Sequence, residues 1–185
     1  MTIALQRGMT LEEFLAWDEG QEDRWEFDGF QPVAMVGGTR AHASITVNLI
    51  SALNSRLKGS ACTVYNDSLR IIAAGSIRYP DAFVACGPLA NDATLAHEPV
   101  VVFEVLSPGT ASIDQIVKAA EYRNTASIQR YVVLAQDRIA ANVHARQGGD
   151  WFVTHIVDPS MILDMPEIGI SLPLIDLYDG VIDPP

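Results

Sequence analysis

Hydrophobic residues recur along this chain with two periods, and the longer period marks helices. From Arg40 to Leu57, Ile45, Leu49 and Leu53 appear at every fourth position, which is the buried face of an amphipathic helix. Upstream, Thr10-Leu11-Glu12-Glu13 has the Thr-x-x-Glu spacing of a capping box and predicts a short helix there.

A third helix is predicted over residues 112–124, with two stripes along its length. The apolar stripe, which we expect to pack on the sheet, consists of Ile113, Ile116, Val117 and Ala120. The polar stripe consists of Asp114, Lys118 and Tyr122, spaced by four. We therefore expect Lys118 to reach over the sheet, with Asp114 beside it.

The shorter period marks strands. Runs rich in β-branched and aromatic residues predict strands at 62–65, 68–73, 79–86, 100–106 and 130–135, and hairpins at 24–36 and 142–157. Asp28-Gly29 is typical of the tight turn of a hairpin. We expect a polar connection at 87–98 and an irregular but apolar tail at 161–180.

Composition limits the size and the compartment. A chain of 185 residues with 49% hydrophobic content is expected to form one globular domain over residues 1–185. Its apolar runs are too short to cross a bilayer, so we expect a cytoplasmic protein with no membrane contact. Cys62 and Cys86 lack CxxC or histidine spacing and are expected to be small buried hydrophobes, not zinc ligands.

The net charge of −11 opposes avid binding to nucleic acid, because phosphate neutralisation normally supplies most of that affinity. Cations are nevertheless concentrated in the first half of the chain, namely Arg7, Arg24, Arg40, Arg56, Lys58, Arg70 and Arg78. A divalent cation would also offset the local negative field. Any contact with DNA is therefore expected to be weak or local.

Glu104 is the least expected residue in the pattern. It lies in the apolar run from Pro99 to Leu106, which is typical of a strand buried on both faces of a sheet. An ionised carboxylate there costs several kcal/mol unless it is paired, protonated or bound to a cation. The sequence must supply such a partner.

Four charged residues occur in or beside apolar segments: Glu26, Asp81 after Tyr79-Pro80, Glu104 and Lys118. Carboxylates and an ammonium aimed at one point would form a metal-dependent phosphodiesterase site. Simpler interpretations exist for each residue. Asp81 alone would cap a turn, Glu26 would be a solvated strand residue, and Glu104 with Lys118 would form a buried ion pair without catalysis.

His42, near the start of its helix, is expected to be a polar surface or capping residue rather than a metal ligand. His42 and the four charged residues occur in a fixed order along the chain, and this order, together with the residues around them, resembles that of a known family. The chain resembles the Uma-type restriction-endonuclease-like family of the PD-(D/E)-x-K nuclease superfamily. The resemblance rests on residues 10–14, 24–29, His42, 78–81, 103–108, Asp114, Lys118, Tyr122 and 131–134.

The resemblance implies an α/β (α+β) fold with a restriction-endonuclease-like core, in which helices flank a mixed central sheet. It implies that Asp81, Glu104 and the backbone carbonyl of Val105 bind Mg²⁺, or Mn²⁺ as a substitute, with Glu26 as an added acidic contact. The usual superfamily lysine would be at position 106, which is Leu106 here. Lys118 is expected to take that role from the helix.

The expected function is a Mg²⁺-dependent endonuclease that hydrolyses DNA phosphodiester bonds. Because cutting both strands needs two sites, a homodimer is expected. The alternative is a catalytically inactive nuclease-fold protein that serves as a structural or partner-binding module. The uncharged Leu106 and the acidic net charge are compatible with that alternative.

Overall fold

A computed structural model describes residues 7–35, 37–106 and 113–182, without the side chains of residues 113–115. The helices in these residues are α1 (Leu11–Asp18), α2 (Arg40–Arg56) and α3 (Ile113–Asn124). The capping box of α1 is confirmed. Thr10 accepts a hydrogen bond from the Glu13 backbone N–H, and the Glu13 carboxylate accepts one from the Thr10 N–H.

The strands in the same residues, in chain order, are β1 (Trp25–Phe27), β2 (Pro32–Ala34), β3 (Cys62–Asn66), β4 (Arg70–Ala73), β5 (Ser76–Arg78), β6 (Ala82–Cys86), β7 (Leu95–Ala96), β8 (Pro99–Leu106), β9 (Arg130–Ala135), β10 (Ala141–Gln147), β11 (Asp150–Ile156), β12 (Ile162–Met165) and β13 (Ile170–Pro173). Short 3-10 helices cover Pro166–Ile168 and Leu174–Tyr178.

The main sheet has six strands in the order β11-β10-β9-β8-β6-β3. Strands β8 and β9 run parallel, with α3 in the connection between them, and the other pairs are antiparallel. The expected mixed central sheet flanked by helices is therefore confirmed. Since β6 and β8 are antiparallel, the start of β6 lies beside the end of β8, with Ala82 opposite Phe103.

Each face of this sheet has its own core. Helix α2 packs Ile45, Leu49 and Leu53 on one face, where Phe103 and Val105 of β8 also point. The opposite face carries Val102 of β8 and is covered by α3. Because side chains alternate along a strand, Glu104 points to the α3 face.

A smaller sheet has the order β2-β1-β5-β4-β7. The expected hairpin is formed by β1 and β2, and Gly29 in its turn has a φ of 87°, which a glycine adopts without strain. Phe14 of α1 stacks on Phe27 of β1 with ring centroids 5.0 Å apart. This packing supports β1, whose central residue is Glu26.

Three predictions need correction: one of a strand, one of a connection and one of an irregular tail. The stretch predicted as one strand at 79–86 contains only β6, because Pro80 has no N–H to donate and Asp81 precedes the strand. Strand β5 ends before it at Arg78. The connection at 87–98 contains the short β7, and the tail expected to be irregular forms the β12–β13 hairpin and both 3-10 helices.

The cysteine prediction was wrong. Cys62 and Cys86 form a disulfide, with Cα atoms 3.9 Å apart. They face each other in the β3–β6 register at the edge of the main sheet, where Cys62 is half-buried and Cys86 is exposed. Their distance in sequence hid this pairing, because it depends on the strand register.

Among the described residues, no helix is long and apolar enough to cross a membrane.

Candidate active site

Asp81 lies directly before β6 and reaches across to the end of β8. Its Oδ2 accepts a hydrogen bond of 2.6 Å from the backbone N–H of Val105. The N–H and C=O of a strand residue point to the same side, so the Val105 carbonyl faces the β6 side of β8, as its N–H does. The structure thus brings together Asp81, Glu104 and Val105, and Asp81 does not serve merely as a turn cap.

Glu104 lies on the α3 face of β8 with its side chain only 13% exposed. Its Oε1 accepts hydrogen bonds from Tyr122 Oη at 2.9 Å and Lys118 Nζ at 3.2 Å. Burial raises the pKa of the Glu104 carboxyl, and the nearby charges of Asp81 and Glu26 raise it further, against the opposing effect of Lys118. An added cation would therefore stabilise the ionised form of the Glu104 carboxylate.

Helix α3 is rotated relative to the prediction. Lys118 and Tyr122 are buried against the sheet, whereas Ile116 is 72% exposed and Val117 is 41% exposed. The prediction that the apolar stripe packs down was wrong, because the sheet face beneath α3 carries the Glu104 carboxylate. The side chains of Ile113 and Asp114 lie outside the described residues, so the expected role of Asp114 stays a prediction.

Glu26 lies on the other side of Lys118. Its Oε1 is 3.5 Å from Lys118 Nζ and accepts a hydrogen bond of 3.2 Å from the Tyr79 N–H. Its Oε2 accepts one of 3.0 Å from Arg78. Glu26 is 9% exposed, so it is not the solvated strand residue of the simpler interpretation.

Arg78 is a central residue of this network, although the sequence indicated it only as one of the cations in the first half of the chain and as part of residues 78–81. Its guanidinium makes two bonds of 2.7 Å to Glu121 in addition to its bond to Glu26. Burial lowers the pKa of Arg78, but the hydrogen bonds to Glu121 and the charge of Glu26 outweigh it, and the net shift is upward. Its position directly before the Tyr-Pro-Asp segment was the available signal.

His42 was also misjudged. Its backbone N–H donates to Thr39 Oγ1 at the N-cap of α2, and its ring Nε2 lies 2.8 Å from Asp81 Oδ1, so it is not merely a surface or capping residue. This hydrogen bond raises the pKa of His42 against the effect of burial. A histidine in the first turn of a helix gives no sequence signal for such a contact, because the contact joins residues 39 positions apart.

An open cleft of about 830 Å³ leads to Asp81 and His42. Its lining includes Thr46, Val47 and Ile50 of α2 and Trp25 of β1.

The donor atoms fit a hard divalent cation. Within the described residues, no group of three or more His, Cys, Asp and Glu side chains could hold a metal alone. Two carboxylates, one main-chain carbonyl and water or phosphate oxygens are nevertheless a typical Mg²⁺ environment. Glu104 Oε2 receives no hydrogen bond from the described part of the chain, and Asp81 has lone pairs beyond the two in use.

Leu106 occupies the position of the usual superfamily lysine and ends β8. The ammonium group near the carboxylates comes instead from Lys118, on the helix after that strand. Lys118 lies against Glu104 and Glu26, and its substitution for the usual lysine stays a prediction.

A solved structure and two curated relatives are similar to this chain. The structure, described as a "putative nuclease belonging to DUF820" from Anabaena variabilis, superposes with a TM-score of 0.76 at 19% identity, over 94% of this chain and 99% of that one. It supports the fold assignment. The relatives, both from a Synechocystis species, are described only as uncharacterized proteins.

One relative, slr1290, is 30% identical over 174 residues, covering 92% of this chain and 91% of its own. The other, sll1609, is 25% identical over 165 residues, covering 85% and 92%. The model of the Uma2 family, described as "putative restriction endonuclease", matches residues 11–174. This match includes every residue of the site described above, and the chain belongs to the Uma2 family.

Proposed function

We propose that this protein is a metal-dependent endodeoxyribonuclease that hydrolyses DNA phosphodiester bonds with Mg²⁺ or Mn²⁺. One observation carries the proposal most directly. The 2.6 Å bond from the Val105 N–H to Asp81 fixes the β6 carboxylate beside the β8 strand that carries Glu104. Two carboxylates on adjacent strand ends, with a buried lysine against one of them, form the donor set that such hydrolysis requires.

Asp81, Glu104 and the Val105 carbonyl would hold the cation. When bound, the cation would polarise the phosphate and lower the pKa of a water molecule. The chain contributes the fixed geometry. Both carboxylates are attached to hydrogen-bonded strands and already make contacts, so little side-chain freedom remains to be lost on metal binding.

Lys118 would stabilise the negative charge that grows on the phosphate oxygens. In the structure it donates to Glu104, and a cation bound at Glu104 would weaken that attraction and release Lys118 toward substrate. An ammonium positioned in a site of low exposure contributes more than one in water.

Glu26 would hold Lys118 from the side away from Glu104. Its carboxylate already binds Arg78 and the Tyr79 N–H, so the contacts it makes are those of a positioning residue. The direct metal contact predicted for Glu26 is separable by experiment. If Glu26 binds the metal, Glu26→Gln weakens Mn²⁺ affinity; if it positions Lys118, the same variant lowers the cleavage rate at saturating Mn²⁺.

DNA would approach along the cleft that ends at Asp81 and His42. The net charge of −11 predicts weak binding. Assays therefore need low salt and an excess of divalent cation.

The decisive experiment is nicking and linearisation of supercoiled plasmid by the purified protein with Mg²⁺ or Mn²⁺. We expect cleavage by the parent, and its loss in Asp81→Asn and Glu104→Gln. Glu98→Gln is the matched control, because Glu98 is exposed and lies outside the site. Cleavage that persists equally in both site variants would contradict the assignment of the metal ligands.

A second candidate is the inactive, partner-binding module. The ion pairs of Lys118 with Glu104 and Glu26 favour it, since they satisfy these charges without a metal. A folded parent that binds neither Mn²⁺ nor Mg²⁺ and does not cleave DNA would select this alternative. In that case Glu104→Gln would change stability and no activity.

A further inference from the structure

Asp81 is held at both carboxylate oxygens by groups from two different elements. Oδ2 accepts from the Val105 N–H at the end of β8, at 2.6 Å. Oδ1 contacts His42 Nε2 at the start of α2, at 2.8 Å. Because the two contacts engage different oxygens and come from different elements, they fix both the position and the rotation of the carboxylate.

The His42 ring is itself held in place. Its backbone is anchored by the Thr39 cap, and a β-carbon added at Gly38 would lie 3.0 Å from two ring atoms, so the chain packs closely behind the imidazole. Ring Nδ1 is buried and has no hydrogen-bond partner among the described residues. A ring that leaves one nitrogen unpaired and directs the other at a carboxylate is placed for that one contact.

The direction of the hydrogen bond follows from the chemistry. An ionised carboxylate can only accept, so Nε2 carries the hydrogen and donates to Asp81. A carboxylate has about four lone-pair positions, and the bonds from His42 and Val105 use two of them. The remaining positions stay open for a cation.

We propose that His42 is the positioning residue of the metal centre, whose Nε2–H holds Asp81 in the orientation that binds the divalent cation. The inference rests on the proposed function, in which Asp81 is a metal ligand. Partners that orient metal-binding side chains typically account for about 10- to 100-fold in metal affinity. Without His42, Asp81 keeps, among the described residues, only the Val105 bond and can rotate about it, so the cation must order the carboxylate itself.

The test is isothermal titration calorimetry of Mn²⁺ and Mg²⁺ chloride into the metal-free parent, His42→Ala and His42→Gln. We expect His42→Ala to weaken Mn²⁺ binding by about 10- to 100-fold. His42→Gln should recover most of the affinity, because the glutamine amide can donate a hydrogen from nearly the same position. His97→Ala is the matched control, because His97 is exposed and lies outside the site.

Circular dichroism melts without metal establish that each variant is folded. If His42→Gln binds Mn²⁺ as weakly as His42→Ala while both melt like the parent, the hydrogen bond to Asp81 is not the cause, and the inference is overturned. Unchanged affinity in His42→Ala overturns it as well, and leaves the proposed function standing. A parent that binds neither metal overturns both, because Asp81 then has no cation to be positioned for.

Discussion

Lys118 lies on the buried side of α3 and donates a hydrogen bond of 3.2 Å to Glu104 of β8, whereas Ile116 on the same helix is exposed. Burying one aliphatic side chain gains about 1.5–3 kcal/mol. Leaving a carboxylate buried and unpaired costs several kcal/mol. The electrostatic cost and the packing of Ala119 and Tyr122 together favour this side of α3, and Ile116 and Val117 are left exposed.

Lys118→Met should destabilise the protein by about 3 kcal/mol at pH 8, because within the described part of the chain Glu104 then retains only the Tyr122 hydrogen bond. The loss should be smaller at pH 5, since burial raises the pKa of Glu104 and a protonated carboxyl needs no cationic partner. Urea unfolding at both pH values measures this difference. Arg138→Met, at a side chain 70% exposed, is the control and should change stability little.

An equal loss at pH 5 and pH 8 would contradict this account. The destabilisation would then come from lost packing of the Lys118 methylenes rather than from the uncompensated carboxylate.

The site was predictable from sequence where a residue broke its local pattern. Glu104 is a carboxylate in an apolar strand, and this conflict alone required a partner such as Lys118. His42 was missed because a histidine near a helix start satisfies every local rule, and only the tertiary fold brings it to Asp81. A residue that conflicts with its local pattern can be recognised in the sequence. A contact between two residues that both fit their local patterns cannot.

The same distinction holds for the fold. Helix α2 could be predicted from the four-residue spacing of apolar residues such as Ile45 and Leu49, because that spacing is a local property of the chain. The rotation of α3 and the pairing of Cys62 with Cys86 depend on strand neighbours that are distant in sequence. Local periodicity carries no information about those neighbours.

Arg78→Lys should destabilise the protein by about 2–3 kcal/mol, because one ammonium cannot replace the guanidinium bonds to both Glu121 and Glu26. The Arg78 side chain is 3% exposed, so water cannot compensate. Guanidinium chloride unfolding gives the change, with Arg138→Lys as an exposed control. A loss below that of the control would mean that Glu121 finds another partner.

Reduction of the Cys62–Cys86 disulfide should lower the unfolding free energy by about 3 kcal/mol, as expected for opening a loop of this length. The bond closes a separation of 24 residues between β3 and β6. Urea unfolding with and without dithiothreitol measures the effect. The Cys62→Ser/Cys86→Ser double variant should have the same unfolding free energy as the reduced parent. Dithiothreitol should not change that value.

His144 should make stability fall as pH decreases from about 6.5 to about 4. Burial lowers the pKa of His144 to about 4, and Arg123, which donates to its Nδ1 at 2.9 Å, opposes a second positive charge. The unfolded chain takes up this proton below about 6.5, where the folded protein stays neutral, so protons favour unfolding in this window. Because the ring is half-buried, solvent screening reduces the effect to about 1 kcal/mol.

The measurement is the unfolding free energy of the parent and His144→Gln at pH 7, 5.5 and 4. Carboxyl groups also titrate in this range, so the informative quantity is the difference between the two proteins at each pH. That difference should shift by about 1 kcal/mol in favour of the variant between pH 7 and pH 4, because glutamine cannot take up a proton. A difference that stays constant would show that His144 binds its proton equally in both states, and the Arg123 contact would then have no effect on its charge.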